Sequence, residues 1–117
     1  MPSKVYFDTD PQAVLNVESS SFLGFRGMQH RVILPENDCA FFDMGHEDYH
    51  YFWMANVNIP LDVIFINNAG QVVDIVENAT PLSVEPFTSA ELACFVVEVN
   101  AGWCYRNNVI VGTKVSF

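Results

Sequence analysis

The sequence predicts a mainly β protein, a compact β-sandwich or barrel-like single domain over residues 1–117 with one short helix. Three observations carry that expectation. Ten Phe, four Tyr and two Trp, among many Val and Ile, favour a pleated, half-buried backbone. Short apolar runs recur between clusters of Gly, Pro, Asn and Asp, as strands recur between turns. With 117 residues, half of them hydrophobic, the chain has the length of one domain and the material for its core.

Residues 4–17 read as one or two short strands, with Asp8-Thr9-Asp10-Pro11 as the turn between them. Ser19, Ser20 and Ser21 can cap a helix. That places the short helix over Phe22, Leu23, Phe25 and Met28, ending near His30. Gly24 and Gly27 each weaken it by roughly 1 kcal/mol relative to Ala. Residues 32–34 lead into a turn on Pro35-Glu36-Asn37-Asp38, and residues 40–44 follow as a buried strand. Residues 45–50 read as a polar loop, and residues 51–54 as a bulky strand. Residues 56–60 connect onward, with Pro60 at the boundary because it cannot donate to a ladder.

Residues 61–66 are an apolar run marked by Asp62, which predicts a strand buried on both faces. Asn67-Asn68-Ala69-Gly70 is a hairpin turn, and residues 72–77 return from it. Residues 81–86 are extended, and residues 88–92 form a helical turn or a loop. Residues 93–99 are a strong strand, stopped by Asn100-Ala101-Gly102. Residues 109–111 and 115–117 close the chain as short strands.

Fourteen Asp and Glu against five Lys and Arg give a net charge of −9. Such a chain has no electrostatic footprint for phosphate backbones or anionic membranes, so neither nucleic acid nor a membrane is expected as a partner. The acids are scattered and not in blocks, which argues against mimicry of nucleic acid. Cys39, Cys94 and Cys104 form an odd set without a pairing pattern, so no disulfide framework is expected. The first residues lack a basic start followed by an apolar core, and no apolar run reaches membrane-spanning length. The expected location is the cytoplasm, with reduced thiols.

Phe52-Trp53-Met54, Asn56, Ile59-Pro60-Leu61-Asp62 and Ile64-Phe65-Ile66 together resemble the central signature of the domain-of-unknown-function 192 family. Gly70-Gln71-Val72 and Ile75 match its hairpin return. Glu98-Val99-Asn100-Ala101-Gly102 resembles its Glu-Leu-Asn-Ala-Gly box. Val109-Ile110-Val111-Gly112 and Val115 resemble its terminal Gly-Ile-x-x-Gly-Asp-x-Val box. Gly27 and Arg31 stand in the places of its Gly-Leu-Met-x-Arg element, and Ala40-Phe41-Phe42 resembles its Met-Leu-Phe strand. Ala55, Asn67 and Gln29 depart from the pattern, where the family carries Lys, Asp and Met. The resemblance implies a small β-rich fold of sandwich or barrel type, and it carries over no catalytic residues.

His46-Glu47-Asp48-Tyr49-His50 has the H-E-x-x-H spacing. On a helix that spacing sets two imidazoles on one face to bind zinc, with the Glu as base. Gly45 before it and the bulky run after it predict a solvated loop instead, so no structural or catalytic metal and no cofactor is expected. Adventitious metal binding by His46 and His50 is the remaining use of the pattern. Asp62 sits among apolar residues, where a carboxylate must be hydrogen-bonded, paired or facing a cleft. It either accepts backbone N–H groups, pinning the 56–60 crossing, or serves a ligand as a contact or general base. Asn100 either ends its strand in a turn or joins Asn56 and Asp62 around one pocket lined by Trp53 and Met54. Cys94 reads as inert core, and Cys104, between Trp103 and Tyr105, as the more exposed thiol. Arg31 is expected in a salt bridge.

The functional expectation is a non-catalytic binding or accessory module. It would take a small molecule or a protein at Trp53, Asn56, Asp62 and Asn100. The alternative is a metal-dependent or carboxylate-based hydrolase using Asp62 or the His46/His50 loop. A third reading is a homo-oligomer joined across the aromatic 51–54 face.

Overall fold

The computed structural model describes residues 1–19 and 28–117. The helix expected over residues 22–30 lies outside them, except for a turn at its end. Seven strands are present: β1 (Lys4–Phe7), β2 (Ala13–Val17), β3 (Asp38–Asp48), β4 (Leu61–Ile66), β5 (Val72–Ala79), β6 (Ala93–Asn100) and β7 (Val115–Ser116). They form one sheet in the order β5-β4-β6-β3-β2-β1-β7. The described pairings are antiparallel except for β2 with β3. A four-residue helix, α1 (Trp103–Arg106), lies between β6 and β7.

The sheet curls until its two ends meet at one point. Gln71 bridges Lys114, Val72 N donates to Thr113 O, Gly112 N to Val72 O, and Val115 N to Gly70 O. Gly70 makes this clasp possible. Its φ is 78°, and a Cβ there would lie 2.8 Å from Val115 O. Apart from the clasp, β5 and β7 do not pair, so the sheet is barrel-like without being a closed barrel.

Strand alternation divides the core in two. Phe7, Leu15, Phe41, Ile64, Val72, Val97 and Val115 come one from each strand and meet Trp103 and Cys104 of α1 inside the curl. Ala40, Leu61, Val63, Phe65 and Val96 point outward, where Met28, Leu34, Met54 and Val57 of the connections cover them. This is why β4 is buried at every position: Ile64 and Ile66 serve the inner core, and Leu61, Val63 and Phe65 the outer one. Each such side chain contributes about 1.5–3 kcal/mol on burial.

Three elements differ from expectation. β3 runs on to Asp48, so residues 45–48 are strand and not loop. Gly45, with φ 81°, accompanies a register shift that lets Asp48 pair with Ala93 again. Residues 51–54 make only an isolated bridge, Phe52 to Phe87, because they lie over the sheet as cover. Residues 109–111 are not a strand; Thr113 N donates to Ile110 O and turns the chain there. The helix α1 had no sequence signal, since four residues are too few for a helical period. It plugs one end of the curl. Trp103 packs on Phe7 with ring centroids 5.3 Å apart and donates from Nε1 to Asn37 Oδ1 at 3.2 Å.

Candidate functional site on the outer face

The outer face of β3, β6, β4 and β5 is roofed by connecting segments. Phe52 and Phe87 exchange both backbone hydrogen bonds, Met54 N donates to Ser83 O, and Leu82 N to Val57 O. The two roof segments therefore run antiparallel, with Phe52, Met54 and Phe87 turned down onto the core. His30 N donates to Asn56 O and ties the residues after 28 to the same roof. Asn56 holds a left-handed turn, φ 62°, which asparagine tolerates better than most residues. Its side chain is on an exposed residue, and Trp53 is 55% exposed on the roof's outer side.

Glu98 stands on the floor beneath this roof. It lies on β6 between Val96 and Asn100, with Ala40 on one side and Val63 on the other as cross-strand partners. Only 5% of Glu98 is exposed. No ion pair joins it to a described Lys, Arg or His. Burial in this apolar row pushes its pKa up from 4.5 to about 7. Asn100, next on the same face, donates from Nδ2 to Leu34 O at 2.8 Å and Pro35 O at 3.3 Å. It thereby ties residues 34 and 35 to the end of β6.

The floor row runs on from Glu98 through Val63 to Val76, each the register partner of the next. Glu98 and Val76 are thus two strand spacings, about 10 Å, apart. Val76 borders an open cleft of about 290 Å³ between β5 and the roof. Met54, Glu77, Ser83, Glu85 and Phe87 are among its other walls. The cations described in the chain are engaged elsewhere. Lys4 reaches Asn16, Arg31 grips Glu18 with two nitrogens, Arg106 holds Glu36 at 2.8 and 2.9 Å, and Lys114 lies at the clasp.

The structure gathers Trp53, Asn56 and Asn100 on this side of the sheet, but it does not bring Asp62 to them. Asp62 is paired with Val99, an inward residue, and only 1% of it is exposed. Its Oδ1 accepts Asn78 N at 3.0 Å, and its Oδ2 accepts Gly102 N at 3.1 Å and Cys104 N at 3.2 Å. Asp62 therefore joins β5, the end of β6 and the start of α1 from inside the curl. The crossing at residues 56–60 receives no bond from it.

His46 and Asp48 lie at the end of β3, with Tyr49 and His50 just beyond it. The imidazoles are 5.0 Å apart, with His46 Nδ1 at Met44 O and His50 Nε2 at His46 O. Among the described residues, no three His, Cys, Asp or Glu side chains are placed to hold a metal ion. Cys104 is fully buried and not exposed as its neighbours suggested. Its thiol pKa is raised by burial first and by nearby Asp62 second. Arg31 makes the expected salt bridge, with Glu18.

Glu98 was not singled out as a candidate from the sequence, although the signal was there. It is a lone carboxylate in an apolar run, the same pattern that drew attention to Asp62.

The chain was compared with known proteins. The family model described as DUF192, Uncharacterized ACR, matches residues 8–117. A protein of unknown function from Novosphingobium aromaticivorans DSM 12444 has a similar structure, with a TM-score of 0.87. It is 28% identical, over 97% of this chain and 84% of its own. A candidate transcription regulator from Sinorhizobium meliloti 1021 is also 28% identical, over 97% of this chain and 91% of its own, with a TM-score of 0.82. No curated protein matches the chain in sequence.

Proposed function

We propose that this chain, which belongs to the DUF192 family of uncharacterised proteins, is a non-catalytic binding module for a small organic molecule at the outer-face site. One observation carries the reading: Glu98 is a nearly buried carboxylate in an apolar row on the covered face of the sheet, with no cation paired to it among the described residues. A carboxylate in such a place depends on hydrogen-bond donors to hold its charge. A ligand that donates hydrogen bonds would complete it. Asn100 orders the floor beside Glu98, and Trp53 and Asn56 form the roof and its rim.

Asp62 is in this reading a structural residue, occupied by three backbone N–H groups on the other side of the sheet. That weighs against a hydrolase built on it. The net charge of −9 offers no attraction to a phosphate backbone. A regulatory role like that named for the Sinorhizobium relative would then run through a ligand or a protein partner.

A thermal-shift screen of small organic molecules, run in parallel on the wild type and Glu98→Gln, tests the proposal. The expected result is a stabilising compound whose affinity falls tenfold or more in the variant. Compounds that stabilise both proteins alike, or none that stabilises the wild type, would count against it.

A further inference from the structure

We infer that a second cleft, beside the clasp that joins the two ends of the sheet, binds a small zwitterion of the amino-acid type. This cleft shares no lining residue with the one under the roof, and the inference does not depend on the outer-face reading.

The cleft has a volume of about 600 Å³. Small-molecule sites span about 300–1,000 Å³. Its form follows from the clasp. Gly70 N donates to Asn67 O, and Gln71 N donates to Asn67 Oδ1, which fixes the hairpin turn. Val115 N donates to Gly70 O and holds that turn against β7. Ser116 pairs with Tyr6 and Val115 with Phe7, and one step on Asp8 N donates to Lys114 O. Phe7 and Val115 point into the inner core, so strand alternation turns Tyr6, Asp8, Lys114 and Ser116 outward. There they meet the wall made by Ala69, Gly70 and Gln71. The walls are backbone held by hydrogen bonds, so the cleft is preformed.

The lining sets the ligand class. Asp8 and Lys114 are neighbours of opposite charge across two strands, and such pairs attract. Here they form no ion pair, and neither side chain has a charged or hydrogen-bonding partner among the described residues. The other described cations differ: Arg31 and Arg106 grip glutamates, and Lys4 reaches Asn16. A ligand that is only a cation meets Asp8 but is repelled by Lys114, and an anion meets the reverse. A zwitterion suits both, its ammonium at Asp8 and its carboxylate at Lys114, in charge-assisted hydrogen bonds. It also carries no net charge for the overall −9 to repel. Gln12, Gln71 and Ser116 add neutral groups that both donate and accept. Tyr6 and Ala69 offer apolar surface to a side chain. Single charges on a surface are ordinary. The distinguishing feature is two opposite ones, adjacent and unjoined, in one preformed cleft.

The test is a titration of the standard amino acids, one by one, into nitrogen-15-labelled protein at neutral pH and low salt. The tightest binder is then compared with its amide, which keeps only the ammonium, with its N-acetyl form, which keeps only the carboxylate, and with glucose. Asp8→Asn, Lys114→Gln and Glu91→Gln are run beside the wild type. Glu91 is an exposed acid outside the cleft, and its variant controls for overall charge. The expected result is an amino acid that shifts the amides of Tyr6, Gly70, Gln71 and Ser116. It should bind at least tenfold more tightly than its amide, its N-acetyl form or glucose. Asp8→Asn and Lys114→Gln should each lose tenfold or more, with Glu91→Gln unchanged. If no amino acid moves those amides, the inference is overturned. A derivative or glucose binding as tightly as the amino acid would overturn it too, because charge matching would then not select the ligand. Equal losses in all three variants would reduce the effect to bulk charge, with the same consequence.

Discussion

Two buried carboxylates, Asp62 and Glu98, show how far neighbours decide what a residue does. Both interrupt apolar strands and both are almost wholly buried. Asp62 accepts three backbone N–H groups, so its charge is matched by fixed dipoles. Asp62→Ala removes those acceptors, and urea denaturation should register a loss on the order of 1–3 kcal/mol. An unchanged midpoint would remove the structural role. Glu98 has no such support, and its pKa in the folded state is raised to about 7 from 4.5. The folded state therefore holds the proton more tightly than the unfolded one. The Glu98 contribution is then most favourable below pH 4.5 and is lost as pH rises towards about 7, where it levels off. The full difference is roughly 3 kcal/mol at about 1.4 kcal/mol per pKa unit. Glu98→Gln should accordingly gain on the wild type as pH rises from 4.5 to 8, when unfolding free energies are compared at each pH. Parallel curves for the two proteins would contradict this. The sequence marked Asp62 and Asn100 as neighbours, and in register they nearly are, since Leu61 pairs with Asn100. What the sequence alone could not settle is the face. A one-residue offset sends Asp62 inward and Asn100 outward.

At the scale of elements, strands defined by local composition were legible. The apolar run of β4, the turn at Asn67–Gly70 and the strong run of β6 all lie where their residues predict. Elements defined by distant contacts were not. β3 extends to Asp48 because Ala93, far along the chain, offers it a partner. The aromatic segment at residues 51–54 had the composition of a strand, yet its partner is another connection rather than the sheet. The clasp between Gly70 and Val115 is likewise invisible locally. Gly70→Ala would add a Cβ 2.8 Å from Val115 O at a positive φ. The expected cost is about 1–3 kcal/mol. Hydrogen exchange should show the amides of Val72 and Val115 opening first, with those of Arg106 in α1 and Asn107 just after it still protected. Uniform loss of protection would mean that the clasp is not a separate unit.

For the whole molecule, the sequence conveyed the fold class well because aromatic and β-branched content, chain length and turn spacing all point the same way. It could not convey that one sheet carries two cores, an inner one shared by all seven strands and an outer one under a roof of connections. That division places the candidate site outside the curl rather than within it. It also seals the thiols. Cys39, Cys94 and Cys104 are all free and buried, and burial pushes the Cys39 thiol up to about 12. None of the three should react with a thiol reagent at pH 8 faster than the protein unfolds, as stopped-flow labelling can check. Rapid labelling of one cysteine in the native protein would show an opening that the fold does not contain. The central claim concerns the outer face, and its most direct measurement is a carbon-13 titration of the Glu98 side-chain carboxyl. The expected midpoint is about 7, because burial in the apolar row disfavours the charged form. A midpoint in the ordinary carboxylate range would show Glu98 open to water and would contradict the covered site built on it.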